Sequence, residues 1–273
     1  MSDHLTTRRP GDYSLGVDDA ERTRLLAQCA LHRDEAELLL GRTGIGPGSR
    51  VLDLGCGPLG VLDLLADRVG PEGRVIGVDR EPRYLAMAAR SLHERGLDGV
   101  GLVEADATGT GLPSASFDLV HERLLLNNVP QPSDVVAEMV RLTRPEGCVA
   151  VQDMDWVSWV CEPAHPDWPR LPAAVGAAWS GDVHIGRRLP ALLRAAGLVD
   201  VQVEAHIRVF HPGEPNHRLL LRFAEIHRDR VLAGGTLTSA ELDDCVRRLA
   251  AHLDDPAAIT LYSTFFQAWG RRP

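Results

Sequence analysis

Between residues 50 and 156, short apolar runs of strand length alternate with stretches whose apolar positions recur every three to four residues. The strand candidates are Arg50–Gly55, Arg74–Asp79, Val100–Asp106, Phe117–His121 and Cys148–Met154. Between the first two, Leu59, Leu62, Leu65, Ala66 and Val69 fall on one helical face. The next helix opens near Pro82, carries Leu85, Ala88, Ala89 and Leu92 on one stripe, and stops at Gly96. Ser133 is the expected cap of a third helix, with Val135, Val136, Met139 and Val140 inward. Strands alternating with amphipathic helices predict an α/β chain with a parallel sheet and crossover helices.

After Trp156 the pattern changes. Residues 157–185 are rich in Pro and Trp without a clear period and read as a lid with short helices. Arg187–Gly197 is again amphipathic through Leu189, Leu192, Leu193 and Ala196, and a strand is expected over Val199–Phe210. A helical insertion, residues 214–255, contains Asn216–Ala233 and a second helix under the capping box Thr238-x-x-Glu241. That helix turns Leu242, Val246, Leu249 and Leu253 inward and ends at Asp255–Pro256. A final strand is expected over Ala258–Ala268. The first 45 residues, with a helix over Asp19–Leu40, sit outside the sheet repeat.

The 273 residues suffice for one large α/β domain, and one domain overall is the expectation. No run of eighteen apolar residues is present, which argues against a membrane span. The opening MSDHLTTRRPGDY lacks the apolar core of a signal peptide. Five scattered cysteines without a CxxC pair fit a reducing compartment, so a cytoplasmic protein without disulfides or zinc is expected. All 29 cationic residues are arginine, which removes a P-loop lysine, a Schiff-base lysine and a Tyr-x-x-x-Lys pair. With a net charge of −9 and no basic run longer than two residues, a nucleic-acid partner is disfavoured.

The chemistry concentrates in residues 51–60, VLDLGCGPLG. Gly55, Gly57 and Gly60 follow a strand and precede a helix, where bare backbone lets a ligand approach closely. Asp79 ends the second strand, 24 residues after Gly55, where a carboxylate can accept both ribose hydroxyls. Asp106 ends the third, positioned for an adenine amino group, and Asp53 lies two residues before the first glycine. An anion beside the turn would repel a pyrophosphate and attract a sulfonium or ammonium, so Asp53 favours S-adenosylmethionine over NAD. The other reading of Asp53 is a structural residue bonding its own loop.

At these residues the chain resembles the class I S-adenosylmethionine-dependent methyltransferases, in particular the small-molecule group of ubiquinone/menaquinone-type and natural-product enzymes. The resemblance is carried by VLDLGCGPLG, VIGVDREPRYL, VEADATGTGLPSASFDLVHERLLLNNVPQP and EMVRLTRPEGCVAVQD, across residues 50–153. The closing LYSTFFQAWGRRP is similar to the last, antiparallel strand of that fold. The resemblance implies a Rossmann-like seven-stranded, mostly parallel sheet with an antiparallel last strand, helices on both faces and a helical lid. It further implies S-adenosyl-L-methionine as cofactor. The Asp53, Gly55 and Gly57 turn would hold the methionine part, Asp79 the ribose, and Asp106 with Ala107 the adenine, with Cys56 and Arg80 as further cofactor-binding residues. Residues 46–156 would form the cofactor core and 157–185 the acceptor region, with 186–273 completing the sheet. Tyr13-x-Leu15-Gly16 with Arg24 and Gln28 is similar to a prelude that folds residues 1–45 over the cofactor's carboxylate end; a plain packing helix is the alternative.

Methyl transfer needs an acceptor held in line with water excluded, and a base only where the acceptor must lose a proton. His121-Glu122-Arg123 ends the fourth strand, where the methyl lies in this fold. Glu122 could be a base, a neighbour of the sulfonium, or a salt-bridge partner of Arg123. His121 and Asp153 are further catalytic candidates, and Asp155 a candidate acceptor contact. Asn128 stands where relatives often carry histidine. Trp156, Trp159, Trp168 and Trp179, with His165 and His184, suggest a flat aromatic-walled pocket, and Trp156, Trp159, His165, Trp179 and His184 are the expected acceptor contacts. Too few carboxylates converge for a Mg²⁺ site, so no metal is expected. The expected function is methyl transfer to a small, aromatic or polyketide-like acceptor at O, N or C, in a chain that could form a homodimer. A cofactor-binding protein or cyclase that transfers no methyl, and an NAD(P)-linked oxidoreductase, are the alternatives.

Overall fold

The computed structural model describes residues 19–273. In chain order the elements are α1 (Asp19–Leu31), α2 (Arg33–Thr43), β1 (Arg50–Leu54), α3 (Leu62–Val69), β2 (Arg74–Asp79), α4 (Pro82–His93), β3 (Gly101–Glu104), β4 (Phe117–Arg123), α5 (Pro132–Leu142) and β5 (Thr143–Asp155). There follow β6 (Val160–Glu162), α6 (Arg170–Ala177), α7 (Leu189–Ala195), β7 (Val199–His206), β8 (Val209–Phe210), α8 (Leu219–Ile226), α9 (Arg228–Ala233), α10 (Ser239–His252), β9 (Ile259–Leu261) and β10 (Thr264–Arg271).

Seven strands form one sheet in the order β3-β2-β1-β4-β5-β10-β7. β1 through β5 pair in parallel, and β10 inserts antiparallel between β5 and β7. The order reverses between β1 and β4, so a crevice opens beyond their carboxyl ends. Pleating assigns the side chains: Val51 packs toward α2 and α3, Leu52 and Leu54 toward α5 and α7. Leu39, Leu62, Leu65 and Leu92 cover one face and Val135, Met139, Leu189 and Leu193 the other. Helices therefore lie on both faces of a Rossmann-like sheet.

A second apolar core lies beside the sheet. Strands β6, β9 and β8 form a small antiparallel sheet, and Trp156, Trp159, Trp168, Leu171, Phe223, Leu242, Leu249 and Tyr262 pack together with it. Residues 157–185 and 214–255, separated in sequence, thus share one core.

Four expected boundaries are corrected. The helix over Asp19–Leu40 breaks at His32, whose φ of −103° and ψ of 19° are not helical. The strand over Val199–Phe210 splits into β7 and β8, and that over Ala258–Ala268 into β9 and β10, with each pair's members in different sheets. Gln131, not Ser133, precedes α5, with Pro132 in its first turn; the Ser133 hydroxyl donates to Asp134 Oδ1. Thr238 and Glu241 form the reciprocal capping box as read. Among the described residues no helix is long and apolar enough to cross a membrane.

Candidate functional site

A cavity of about 1360 Å³, its solvent mouth included, lies beyond the carboxyl ends of β1, β2 and β4. One end is polar and bounded by the turn Gly55–Gly57, Asp79, Asp106, Ala107 and Thr108. The other is bounded by Met154, Trp156, Trp179, Phe223 and Tyr262.

The polar end is built by strand termini. Asp79 Oδ2 accepts from Gly57 N at 2.9 Å and Oδ1 from Glu81 N at 2.9 Å, tying the end of β2 to the turn after β1. Burial pushes the Asp79 carboxyl up from its ordinary value, and those two amides oppose the shift. Each oxygen keeps a second lone pair for a hydroxyl donor. Asp106 spends Oδ1 on the backbone and side chain of Thr108, at 2.8 and 2.6 Å, and those bonds lower its pKa. A Cβ on Gly57 would meet no protein atom within 4 Å, so its bare face is open toward the cavity. Bare backbone at Gly57 and two carboxylates with unspent lone pairs thus share the polar end of the cavity.

Gly60 is bare for a different reason. A Cβ there would come within 2.4 Å of Asp53 Oδ2 and 2.7 Å of the Cys56 carbonyl, at a φ of +56°. Gly60→Ala is expected to cost about 1–3 kcal/mol of stability through strain and clash. Gly57→Ala should cost less stability and lower cofactor affinity instead. Chemical denaturation and calorimetric titration of both variants check this split.

Asp53 does not face the cavity. Its Oδ1 receives His121 Nδ1 at 2.7 Å and its Oδ2 lies 3.4 Å from Val61 N at the start of α3. The electrostatic case for Asp53 against a dinucleotide therefore fails, and the structural reading of this residue is the one observed. His121 is fully buried, its Nε2 3.1 Å from the Gln152 amide oxygen. With both ring nitrogens engaged and no face on the cavity, it cannot reach an acceptor.

Glu122 is also removed from the wall. The pleat sends it to the face opposite His121 and Arg123, so the Glu122–Arg123 salt bridge does not form. Arg123 instead donates to the Gly60 carbonyl at 2.8 Å and lines the cavity. Glu122 Oε2 accepts from Leu125 N at 3.1 Å, and Oε1 is buried without a partner. Burial, and then the charge of Asp153, push the Glu122 carboxyl well up. Asp153 accepts from Met154 N at 2.7 Å and from Asn127 N at 2.9 Å, and burial pushes it up to about 7. Both acids sit beneath the loop 124–128 that walls the cavity.

Of the expected acceptor contacts, Trp156 and Trp179 line the cavity, 5.4 Å apart and edge to face. Trp159 does not: it packs behind Trp156 at 5.2 Å and its carbonyl accepts Trp168 Nε1. His165 lies outside, near Asp167 and 5.0 Å from His252. His184 is held by Asp155 at 2.9 Å, and Asp155 also binds Arg187. That places both away from the cavity. Cys56 and Arg80 border it, the Cys56 thiol pushed well up by burial, and Gln28 does so from α1. Tyr13 lies outside the described residues. Among the described residues no cluster of His, Cys, Asp or Glu is placed to hold a metal.

Sequence reasoning missed Tyr84, Asn127, Met154, Phe223 and Tyr262, all on the wall. Tyr84 lies in the matched stretch VIGVDREPRYL and could have been found there. Phe223 and Tyr262 have no local signal, because they reach the cavity from α8 and from the segment between β9 and β10.

Comparison with known proteins accords with this geometry. A sequence model described as a methyltransferase domain matches residues 45–196. An uncharacterized 37.1 kDa protein in transposon TN4556 of Streptomyces fradiae is 29% identical over 261 residues, 92% of this chain and 72% of that one. Nocamycin O-methyltransferase of Saccharothrix syringae is 36% identical over 146 residues, 53% of this chain and 50% of that enzyme. The match thus spans about half the length of that named relative. The crystal structure of a putative methyltransferase from Bacillus halodurans superposes with a TM-score of 0.59 at 15% identity, covering 86% of this chain and 97% of that one, and shares the fold. The chain belongs to the methyltransferase-domain family, as a class I member whose cofactor is S-adenosylmethionine.

Proposed function

We propose that this protein transfers a methyl group from S-adenosylmethionine to a small, flat molecule seated on the aromatic end of the cavity. The observation that carries the reading is the continuity of one cavity from the glycine turn, Asp79 and Asp106 to Met154, Trp156, Trp179, Phe223 and Tyr262. Asp79 would take the ribose hydroxyls and Asp106 the adenine amino group through its uncommitted Oδ2. When bound, the cofactor supplies an electrophilic methyl on a sulfonium. The protein's part is to seat the acceptor in line and exclude water, which the large apolar side chains do. Asn128 donates to Leu124 O at 2.8 Å and to Asn127 Oδ1 at 2.6 Å, while its own buried Oδ1 has no protein partner.

Calorimetric titration with S-adenosylmethionine and S-adenosylhomocysteine is expected to give micromolar affinity. Methyl-labelled cofactor with phenols, enols and amines should then yield labelled product from at least one class. Absence of binding to either nucleoside would overturn the reading. Binding without transfer to any acceptor would favour the non-methylating alternative.

A further inference from the structure

A polar row crosses the buried sheet face behind the glycine turn. Asp53 on β1, His121 on β4, Gln152 on β5 and Gln267 on β10 lie on adjacent strands, each at most 2% exposed. Asp53 stands opposite His121, and Gln152 opposite Gln267.

The hydrogen bonds of this row have a direction, set at its far end. Gln267 Nε2 donates to the Glu35 carbonyl of α2 at 2.6 Å. A backbone carbonyl only accepts, so this amide is turned one way and Oε1 is left over. That Oε1 is buried without a partner among the described residues, and so is Nε2 of Gln152, the residue opposite. A donor thus stands across from an acceptor. Reversing the Gln152 amide would set two buried carbonyl oxygens against each other and satisfy neither. Gln152 therefore presents Oε1 to His121 Nε2, at 3.1 Å. An amide oxygen only accepts, so Nε2 carries a proton. The other ring nitrogen, Nδ1, lies 2.7 Å from Asp53 Oδ1. Asp53 Oδ2 is 3.4 Å from Val61 N at the start of α3, where positive partial charge favours a carboxylate, so Nδ1 donates as well.

We propose that His121 is a buried imidazolium paired with the Asp53 carboxylate, and that Gln152 and Gln267 are positioning residues that hold it so. The charge assignment stands apart from the methyl-transfer reading, and the positioning role rests on that reading. The pair supports the end of the glycine turn. A Cβ on Gly60 would come within 2.4 Å of Asp53 Oδ2, and Arg123, next to His121, donates to the Gly60 carbonyl at 2.8 Å. Gly60 in turn borders the cavity. Burying an ion pair costs solvation, which the short contact offsets only while each member keeps its partners. The pair has no net charge, so no uncompensated anion lies behind the turn.

The test is ¹⁵N NMR of the histidine rings slightly above neutral pH. An imidazolium gives two similar ring shifts with a proton on each nitrogen, whereas a neutral tautomer gives two widely separated ones. Native protein is expected to show the imidazolium at His121. Gln267→Met removes the oxygen that orients Gln152, whose NH₂ can then turn to His121, so the Nε2 proton should be lost from two strands away. Gln152→Glu offers His121 the same acceptor and, when protonated, Gln267 the same donor; it should keep the imidazolium. A merely structural loosening would not sort the two variants this way. S-adenosylhomocysteine affinity should fall about three- to tenfold in Gln267→Met, as for one lost hydrogen bond, and hold in Gln152→Glu. A neutral His121 in native protein, or an imidazolium that persists in Gln267→Met, would overturn the proposal. If Gln267→Met does not fold, the native spectrum and Gln152→Glu decide, and a neutral ring in either overturns it. Native protein that keeps the imidazolium but fails to bind S-adenosylhomocysteine removes the methyl-transfer reading, and the positioning role with it, while the charge assignment holds. Unchanged affinity in a Gln267→Met that has lost the Nε2 proton ends the positioning role alone.

Discussion

Asp153→Ala is expected to lower stability by about 3–5 kcal/mol, a fall of roughly 10 °C in the thermal midpoint, whereas Glu122→Gln should be close to neutral at pH 6. The two acids are neighbours under one loop, yet their bonds differ. Asp153 accepts backbone N–H groups through both oxygens, from Met154 and Asn127, so alanine strands two buried donors. Glu122 accepts on Oε2 and leaves Oε1 unpartnered, the arrangement of a carboxyl that carries its proton there. Glutamine reproduces that neutral form. The Asn127 peptide is gripped from its other side as well: Trp179 Nε1 donates to its carbonyl at 3.1 Å, and a Cβ on Gly181 would come within 2.1 Å of the same oxygen. Loss of the Asp153 anchor should therefore loosen residues 124–128 and weaken nucleoside binding about tenfold, since breaking a charge-assisted contact of this kind is worth about 1.5–3 kcal/mol. Equal stability of native protein and Asp153→Ala in chemical denaturation would refute this account.

The same pair sets a pH dependence whose sign follows from burial. Both carboxyls are raised, Asp153 to about 7 and Glu122 well above its ordinary value. The folded chain then binds more protons than the unfolded one between the ordinary carboxylate range and those values. Stability is complete at the acid end of that window and falls as pH rises through about 7. Glu122→Gln should flatten the decline, because one of the two raised titrations is then removed.

Strand periodicity explains what could and could not be read from the chain. Gly57, Asp79 and Asp106 were legible because Asp79 ends β2 and the other two follow β1 and β3 within three residues, Asp106 lying past the end of β3 at Glu104 rather than ending it, so sequence spacing maps onto one crevice. His121-Glu122-Arg123 was misleading for the complementary reason. Adjacent residues of a strand face opposite sides of the sheet, so three consecutive polar side chains enter three separate sets of contacts. Asp53 obeyed the same rule: sequence placed it beside the glycine turn, and the pleat turned it toward His121 and Gly60. The tryptophan run split likewise, Trp156 and Trp179 reaching the cavity while Trp159 and Trp168 fill the core behind it. The rest of the aromatic wall is assembled by tertiary contact from α8 and the turn before β10, where no local pattern marks it.

Asp79→Ala is expected to reduce affinity for S-adenosylhomocysteine about 100-fold, close to 2.7 kcal/mol, while changing stability by about 1 kcal/mol or less. The asymmetry arises from where the carboxylate stands. Its two amide partners, Gly57 N and Glu81 N, border the cavity and can turn to water when the side chain is removed. The ribose hydroxyls would lose an anionic acceptor that water does not replace in the closed complex. Asp79→Asn keeps one acceptor oxygen and should lose about tenfold. Burial raises the Asp79 carboxyl, so affinity should begin to fall at a higher pH on acidification than an exposed aspartate would allow. The decisive comparison uses a nucleoside lacking its 2′-hydroxyl. Native protein should lose affinity for it relative to S-adenosylhomocysteine, and Asp79→Ala should bind the two alike, because the hydroxyl's partner is already gone. If the deoxy penalty persists unchanged in Asp79→Ala, the ribose is held elsewhere and the assignment of Asp79 is wrong.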